Sequence, residues 1–251
     1  ELLDSDLRIK EVGYSGSGKS GTRRMTVQPK IIRDLTTKNS CKSLTKKSVF
    51  LVSGGARGVT AECVVKLAQT QPCSFILLGR SNIEDEPEWA KGVGKDKTKL
   101  KQAAMKSMVD SGEKPTPAKV NQLVVKVEAG RDIQKNLERI RNAGGNAEYV
   151  SADVTDVKKL KTAIAAVVKK IGPVTGIIHG AGVLADKLIE KKTSDDFDAV
   201  CSTKINGMDA LLKSINPKKL THLLLFSSAA GFYGNAGQSD YAVANEALNR
   251  I

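Results

Sequence analysis

Residues 49–69 read VFLVSGGARGVTAECVVKLAQ. The run VFLV is apolar without alternation, which is how a strand buried on both faces reads; a half-solvated strand would alternate apolar with polar. Glycines at 54, 55 and 58 follow, and then Val59, Cys63 and Leu67 recur at helical spacing. A buried strand, a glycine turn and a helix in immediate succession form the repeating unit of a parallel sheet covered by helices.

The same alternation extends downstream. CSFILLGR (73–80) is a second buried run. A polar stretch from Asn82 to about Gln122 interrupts it, acidic at first (EDEPE) and then lysine-rich, with an amphipathic piece at Leu100, Ala103, Ala104 and Met108 and a PTP break behind it. It reads as an insertion on the surface, spanning about residues 82–122. RDIQKNLERIRNAGG (131–145) is expected as a helix ending in glycines, AEYVSADV (147–154) as a strand and VKKLKTAIAAVVKKIG (157–172) as a helix. VTGIIHGAG (174–182) runs from strand into glycines, SDDFDAVCSTKINGMDALLKSI (194–215) is a helix entered at Ser194, and THLLLFSS (221–228) is the fifth strand. After the glycine-rich AAGFYGNAGQ, a last helix starts at Ser239 or Asp240 and runs to Ile251. The expected class is α/β, a doubly wound parallel sheet of Rossmann-like form, with ligands at the strand C-terminal ends.

Residues 1–46 lie outside this pattern and are assigned as an N-terminal extension or linker, with the main domain over residues 47–251. GYSGSGKS (13–20) within them fits the phosphate-loop spacing GxxxxGK[ST]. That loop needs a buried strand before it and a helix after it. Upstream, ELLDSDLRIKEV carries six charges in twelve residues, and downstream Gly21, Thr22, Val27 and Pro29 oppose a helix, so a Gly/Ser-rich mobile loop is expected instead.

Composition narrows the function classes. A chain of 251 residues with 40% apolar content can bury a core. No apolar run approaches the roughly 18 to 20 residues that span a bilayer, and ELLDSD does not read as a signal peptide, so the cytoplasm is the expected compartment and no membrane partner is expected. Cys41, Cys63, Cys73 and Cys201 show no CxxC spacing, so reduced thiols and no metal are expected. The net charge of +13 raises nucleic-acid binding as a possibility, but the surplus is spread along the chain and only 4% of residues are aromatic, so no nucleic-acid partner is expected.

Chemistry is placed at the strand ends. Gly54, Gly55 and Gly58 would let the backbone approach a pyrophosphate at a helix N-terminus, although a glycine turn also serves a purely structural need. The second strand ends in LLGRS, placing Arg80 where an acidic residue would read an unphosphorylated ribose; Arg80, with Arg57 in the turn, favours a 2′-phosphate and hence NADPH. In the helix after Ser194, Phe197, Val200, Cys201, Met208, Leu211 and Leu212 share a stripe with Lys204, which either snorkels to the rim or points there for a reason. Tyr241 and Asn245 are one turn apart on a helix that follows Ser227 and Ser228, so Ser, Tyr, Lys and Asn can converge. A phenol of pKa about 10 becomes a useful acid at neutral pH when a cation such as Lys204 stabilises its phenolate. His179 and His222, without serine or carboxylate spacing, read as structural.

VSGGARGVT, LLGRS, ADVTD, IIHGAGVL and FSSAAGFYGNAGQSDYAVAN together resemble the short-chain dehydrogenase/reductase superfamily. Within it they resemble the ketoreductase domains of polyketide and fatty acid synthases, and VSGGARGVTAECV with its lysine-rich insertion looks most like those of polyunsaturated fatty acid synthases. The resemblance covers about residues 48–251. It implies a catalytic tetrad of Lys204, Ser228, Tyr241 and Asn245, with YxxxN in place of the YxxxK of most free-standing members and the lysine moved to the earlier helix. It implies a cofactor site of Ser53, Gly54, Gly55, Arg57, Gly58, Val59 and Arg80, with Asp153 and Val154 at the adenine, Gly180, Ala181 and Gly182 at the nicotinamide half, and Lys204 and Tyr241 at the ribose. Arg57 and Thr60 stand where many relatives have glycine.

The activity implied is reduction by NADPH of a β-ketoacyl thioester on the phosphopantetheine arm of an acyl carrier protein, with other synthase domains in the same polypeptide. In the loop VLADK, Leu184 and Asp186 match two of the three LDD positions associated with the 3R alcohol, Ala185 departs from it, and Tyr233 stands where a Trp would mark the 3S type. The 3R product is therefore expected, with Asp186 as a helix cap the alternative. The chain ends inside the helix bearing Tyr241, before the family's sixth strand, and so reads as truncated. A catalytically silent structural copy of the domain and a nucleotide hydrolase using residues 13–20 are the competing functions.

Overall fold

The structure, a computed structural model, describes residues 12–17, 21–26 and 44–251. Two compact units divide the chain, Glu1–Lys42 and Ser43–Ile251. In the first, β1 (Val12–Ser17) pairs antiparallel with β2 (Gly21–Thr26), Ser17 opposite Gly21. Most of GYSGSGKS is thus strand, not the expected loop, and the chain re-emerges as β2 where a phosphate loop needs a helix; Gly18, Lys19, Ser20 and Cys41 lie outside the described residues. Glycine and β-branched Thr22 suit a hairpin arm better than a helix start.

The second unit is the expected layered fold. Five parallel strands, β3 (Val49–Ser53), β4 (Ser74–Gly79), β5 (Asn146–Ser151), β6 (Gly176–His179) and β7 (His222–Leu225), lie in the order β5-β4-β3-β6-β7. Helices α1 (Gly58–Thr70), α2 (Lys97–Asp110), α3 (Pro117–Asn142), α4 (Val157–Ile171), α5 (Ser194–Cys201), α6 (Gly207–Lys213), α7 (Ala229–Tyr233) and α8 (Ser239–Asn249) complete it. Side-chain alternation along β3 sorts the core. Phe50 and Val52 pack with Val64, Ala68, Ile133 and Ile140 of α1 and α3, whereas Val49 and Leu51 pack with Leu160, Ile164, Ala210 and Leu211 of α4 and α6. Both faces of the central strands are covered, which is why β3, β4 and β6 read as apolar runs without alternation.

The order reverses at β3: the chain winds outward through β4 and β5, then crosses to β6 on the other side. The crevice left between the C-terminal ends of β3 and β6 is the place where such sheets bind ligands. β7 lies at the edge, with Leu223 and Leu224 41% and 42% exposed.

Several element expectations need correction. The stretch 82–122 is not simply surface: α2 packs Leu100, Ala104 and Met108 against Val120, Val124 and Val127 of α3 as a third apolar cluster with Ala90. The PTP motif separates α2 from α3 as expected, but the next helix starts there and not at residue 131: Pro117 is the first residue of α3, where its missing N–H costs nothing, and Thr116 Oγ1 accepts from Lys119 N–H. Helix α3 then runs unbroken through residue 131. Helix α5 is capped by Thr193, which exchanges hydrogen bonds with Asp196 in a capping box. Its Phe197 is exposed instead of joining the buried stripe. AAGFYGNAGQ contains the short helix α7, and α8 ends at Asn249, two residues short of Ile251. Among the described residues no helix is long and apolar enough to cross a membrane.

Candidate functional site

A cleft of about 710 Å³ opens over the C-terminal ends of β3, β4 and β6. Ser53, Gly54, Arg57, Gly58 and Val59 line its floor, Arg80 and Asp153 one end, and Gly180, Ala181 and Gly182 the other, together with Val154, Lys204 and Tyr241. Gly58 has φ +67°, which disfavours L side chains, and open space above its Cα. Gly54, at φ +68°, lies where a Cβ would meet the Gly180 carbonyl at 2.9 Å, so the turns after β3 and β6 touch backbone to backbone. Gly55 does not face the cleft; a Cβ there would strike Val52 Cγ1 at 2.3 Å, so this glycine serves packing under the turn. Thr60 is accommodated because Gly180 opposes it: a Cβ on Gly180 would lie 2.2 Å from Thr60 Oγ1.

This floor suits an anion. Helix α1 has no acidic residue in its first turn and no side-chain cap at Arg57, so its leading N–H groups are left for a ligand. Arg57 and Arg80 both act on neighbours at the same end, Arg57 on the Tyr149 phenol and Arg80 on Asp153. The Asp153 carboxyl is held below its ordinary range chiefly by the Thr155 N–H and hydroxyl at 2.9 and 2.7 Å. Two cations and an open helix N-terminus suit the phosphates of a dinucleotide.

Lys204 does not snorkel. It is 3% exposed, its Nζ donates to the Phe226 carbonyl at 2.7 Å, and burial pushes its pKa down. It sits in a single wide π-turn, Ser202–Asn206, between α5 and α6. His179 grips that turn, its Nε2 lying 2.8 Å from the Lys204 carbonyl. A carbonyl only accepts, so Nε2 carries the proton; Nδ1 then accepts from Ser53 Oγ at 2.6 Å, and Ser53 Oγ in turn accepts from Ala181 N–H at 3.2 Å. This chain of donors leads from the glycine turn to the lysine. In the sequence His179 carries one signal of this role, a histidine inside the apolar run GIIH, and spacing alone assigns it only to structure.

The other two tetrad candidates do not line the cleft itself: Ser228 is half-buried next to Ser227, and Asn245 lies one turn after Tyr241 on α8. Ser228 caps α7, its Oγ accepting from Ala230 N–H at 3.2 Å, while Ser227 lines the cleft. Asn245 is fully buried; its Nδ2 donates to the Tyr241 carbonyl at 2.7 Å, and its Oδ1 has no partner among the described residues. Leu184 lines the cleft, whereas Asp186 is held outside it by Gln238 Nε2 at 2.9 Å. Spacing along the chain does not bring out Lys192 and Asp240, which form a buried ion pair at 2.8 Å next to Tyr241.

Comparison with known proteins follows the same lines. The KR domain family model matches residues 48–251. One relative, from the polyunsaturated fatty acid synthase of Thraustochytrium sp., is 40% identical over 259 aligned residues, covering all of this chain and 9% of that protein. Polyketide synthase PksL of Bacillus subtilis is 27% identical, covering 81% of this chain and 4% of its own length. This chain therefore spans a small part of the length of either relative. Among solved structures, an N-terminal ketoreductase from the macrolactin assembly line superposes with TM-score 0.59 at 24% identity, over 91% of this chain and 36% of that one. A short chain dehydrogenase from Mycobacterium paratuberculosis bound to NAD superposes with TM-score 0.57 at 17% identity, over 82% and 64% of the two chains. These two structures share the fold.

Proposed function

Since this chain belongs to the KR domain family, the ketoreductase domains of polyunsaturated fatty acid and polyketide synthases, we propose that it reduces a β-ketoacyl thioester carried on an acyl carrier protein to the 3R-hydroxyacyl thioester, with NADPH as reductant. The observation that carries this reading is that Lys204 and Tyr241 open onto the same cleft as the glycine turn and the uncapped N-terminus of α1.

NADPH, when bound, supplies the hydride for the carbonyl carbon. Its phosphates would lie against Gly54, Gly58 and the α1 N–H groups, with Arg57 and Arg80 at the 2′-phosphate. Tyr241 gives its phenolic proton to the substrate oxygen. Lys204 stabilises the phenolate left behind; because the lysine is buried, its charge gains more from a nearby anion than it would in water. Ser228 uses an oxygen lone pair in capping α7, so its hydroxyl hydrogen is free to bond the substrate oxygen. Asn245 Oδ1, a buried acceptor with no partner among the described residues, fits a water that returns a proton to Tyr241. The 3R product is inferred from the resemblance of Leu184 and Asp186 to two of the LDD positions and from Tyr233 standing where a Trp would mark the 3S type.

The test is NADPH consumption with a β-ketoacyl thioester, using the longest natural polypeptide that contains residues 1–251. Tyr241→Phe is expected to lose most turnover while still binding NADPH, and chiral chromatography of the product is expected to show the 3R alcohol. Full activity in that variant would remove Tyr241 as the acid, and a mainly 3S product would remove the loop assignment.

A further inference from the structure

The loop after β6 and the entrance to α8 are fastened to each other at three successive residues. Lys192 Nζ donates to the Ala185 carbonyl at 2.9 Å and to Asp240 Oδ1 at 2.8 Å. Gln238 Nε2 donates to Asp186 Oδ2 at 2.9 Å, and Lys187 N–H to the Gly237 carbonyl at 3.0 Å. Two of these ties lie at the surface, but the Lys192–Asp240 pair is enclosed, with side chains 6% and 0% exposed. Asp240 Oδ1 also accepts the N–H of Tyr241 at 2.8 Å, and Asp240 Oδ2 is buried without a partner among the described residues.

An ion pair in this position is a poor way to gain stability, because removing both charges from water costs about as much as their attraction returns. It is a good way to fix geometry, since each charge tolerates only one place for the other. Here the fixed place is the first turn of α8, whose N-cap residue Gln238 makes no side-chain cap and whose leading N–H groups favour a carboxylate. The same lysine holds the backbone of Ala185, beside Leu184 on the cleft wall.

We propose that the Lys192–Asp240 pair is a positioning device for Tyr241, locking the first turn of α8 to the 184–187 loop so that the phenol and the wall against which substrate rests are set as one unit. The proposal rests on the ketoreductase reading for its use, though not for the lock itself. It assigns these two residues no contact with substrate or cofactor; they act through Tyr241 and Ala185.

The decisive variant is the double replacement Lys192→Met with Asp240→Asn, which removes both charges at similar volume and so avoids leaving one ion buried alone. Three quantities are read in the longest natural polypeptide containing the chain: NADPH affinity, steady-state turnover of a β-ketoacyl thioester, and amide hydrogen exchange. NADPH affinity is expected to hold while kcat falls about tenfold or more, and exchange is expected to rise together in residues 184–187 and at Tyr241. Lys192→Arg, which keeps the charge, is expected to recover part of kcat. Parental kcat in the double variant, or a kcat loss matched by an equal loss of NADPH affinity, overturns the positioning role. If the parent shows no reductase activity, the ketoreductase reading fails on its own, and hydrogen exchange alone then decides the lock: unchanged exchange in the double variant overturns it.

Discussion

His179 gives the sharpest quantitative expectation. Its imidazole is fully buried, and burial pulls its pKa from 6.5 to about 4; the Lys204 carbonyl accepting from Nε2 opposes that fall, and the nearby Lys204 charge adds to it. The fold thus favours the neutral ring, whereas the unfolded chain takes up a proton near 6.5. Below that pH the unfolded state binds more protons, so stability from this residue is complete above about 6.5 and is lost as pH falls toward 4. At about 1.4 kcal/mol per pH unit, the loss between pH 8 and pH 4.5 comes to about 2.5 kcal/mol. Urea unfolding of the parent and of His179→Gln across that range isolates it, because glutamine keeps a donor and an acceptor but does not titrate, and the carboxylates are common to both proteins. The parent is expected to lose about 2.5 kcal/mol more than the variant. Parallel curves would show that His179 takes up its proton as readily in the fold as in the unfolded chain, and the donor chain from Ser53 to Lys204 would have to be redrawn.

Two further expectations concern the cleft. Arg80→Ala should weaken NADPH by about 1.5 to 3 kcal/mol, the scale of one charge-assisted contact, and leave NADH little changed; equal losses measured by fluorescence titration would show that Arg80 does not read the 2′-phosphate. Gly54→Ala must place a Cβ 2.9 Å from the Gly180 carbonyl at φ +68°, a backbone cost of about 1 to 2 kcal/mol before any clash. Its thermal unfolding midpoint should fall and its NADPH affinity should drop; an unchanged midpoint would mean the turn relaxes freely.

The central strands β4, β3 and β6 are legible in the sequence because burial on both faces leaves an apolar run, whereas β5, NAEYVS, is legible only from its place in the alternation; the glycines after β3 and β6 mark where backbone approaches backbone. Lys204 is legible as a charge on an apolar stripe. Its environment is not, since the Phe226 carbonyl and the His179 ring come from other parts of the chain. The insertion departs from its expected form because α3 already begins at Pro117, a position where helices accept proline, and buries its first turns against α2. The Lys192–Asp240 pair cannot be read at all: 48 residues separate its members, and each taken singly is an ordinary polar residue near a helix end. The antiparallel pairing of residues 12–17 with 21–26 is hidden by a motif whose glycines and serines match the phosphate-loop spacing.

The wide turn at Ser202–Asn206 has a consequence for how this chain can change in length. Such a turn absorbs one residue more than the α-helix around it, so α6 keeps the phase that a regular helix one residue shorter would give it. A deletion inside α5 would rotate everything beyond by about 100° and swing Met208 and Leu211 away from the core they fill. A deletion within the turn would instead leave those two residues facing inward and straighten only the bulge that presents Lys204. This is the place on the helix where a lost residue spares the core and strikes the site alone.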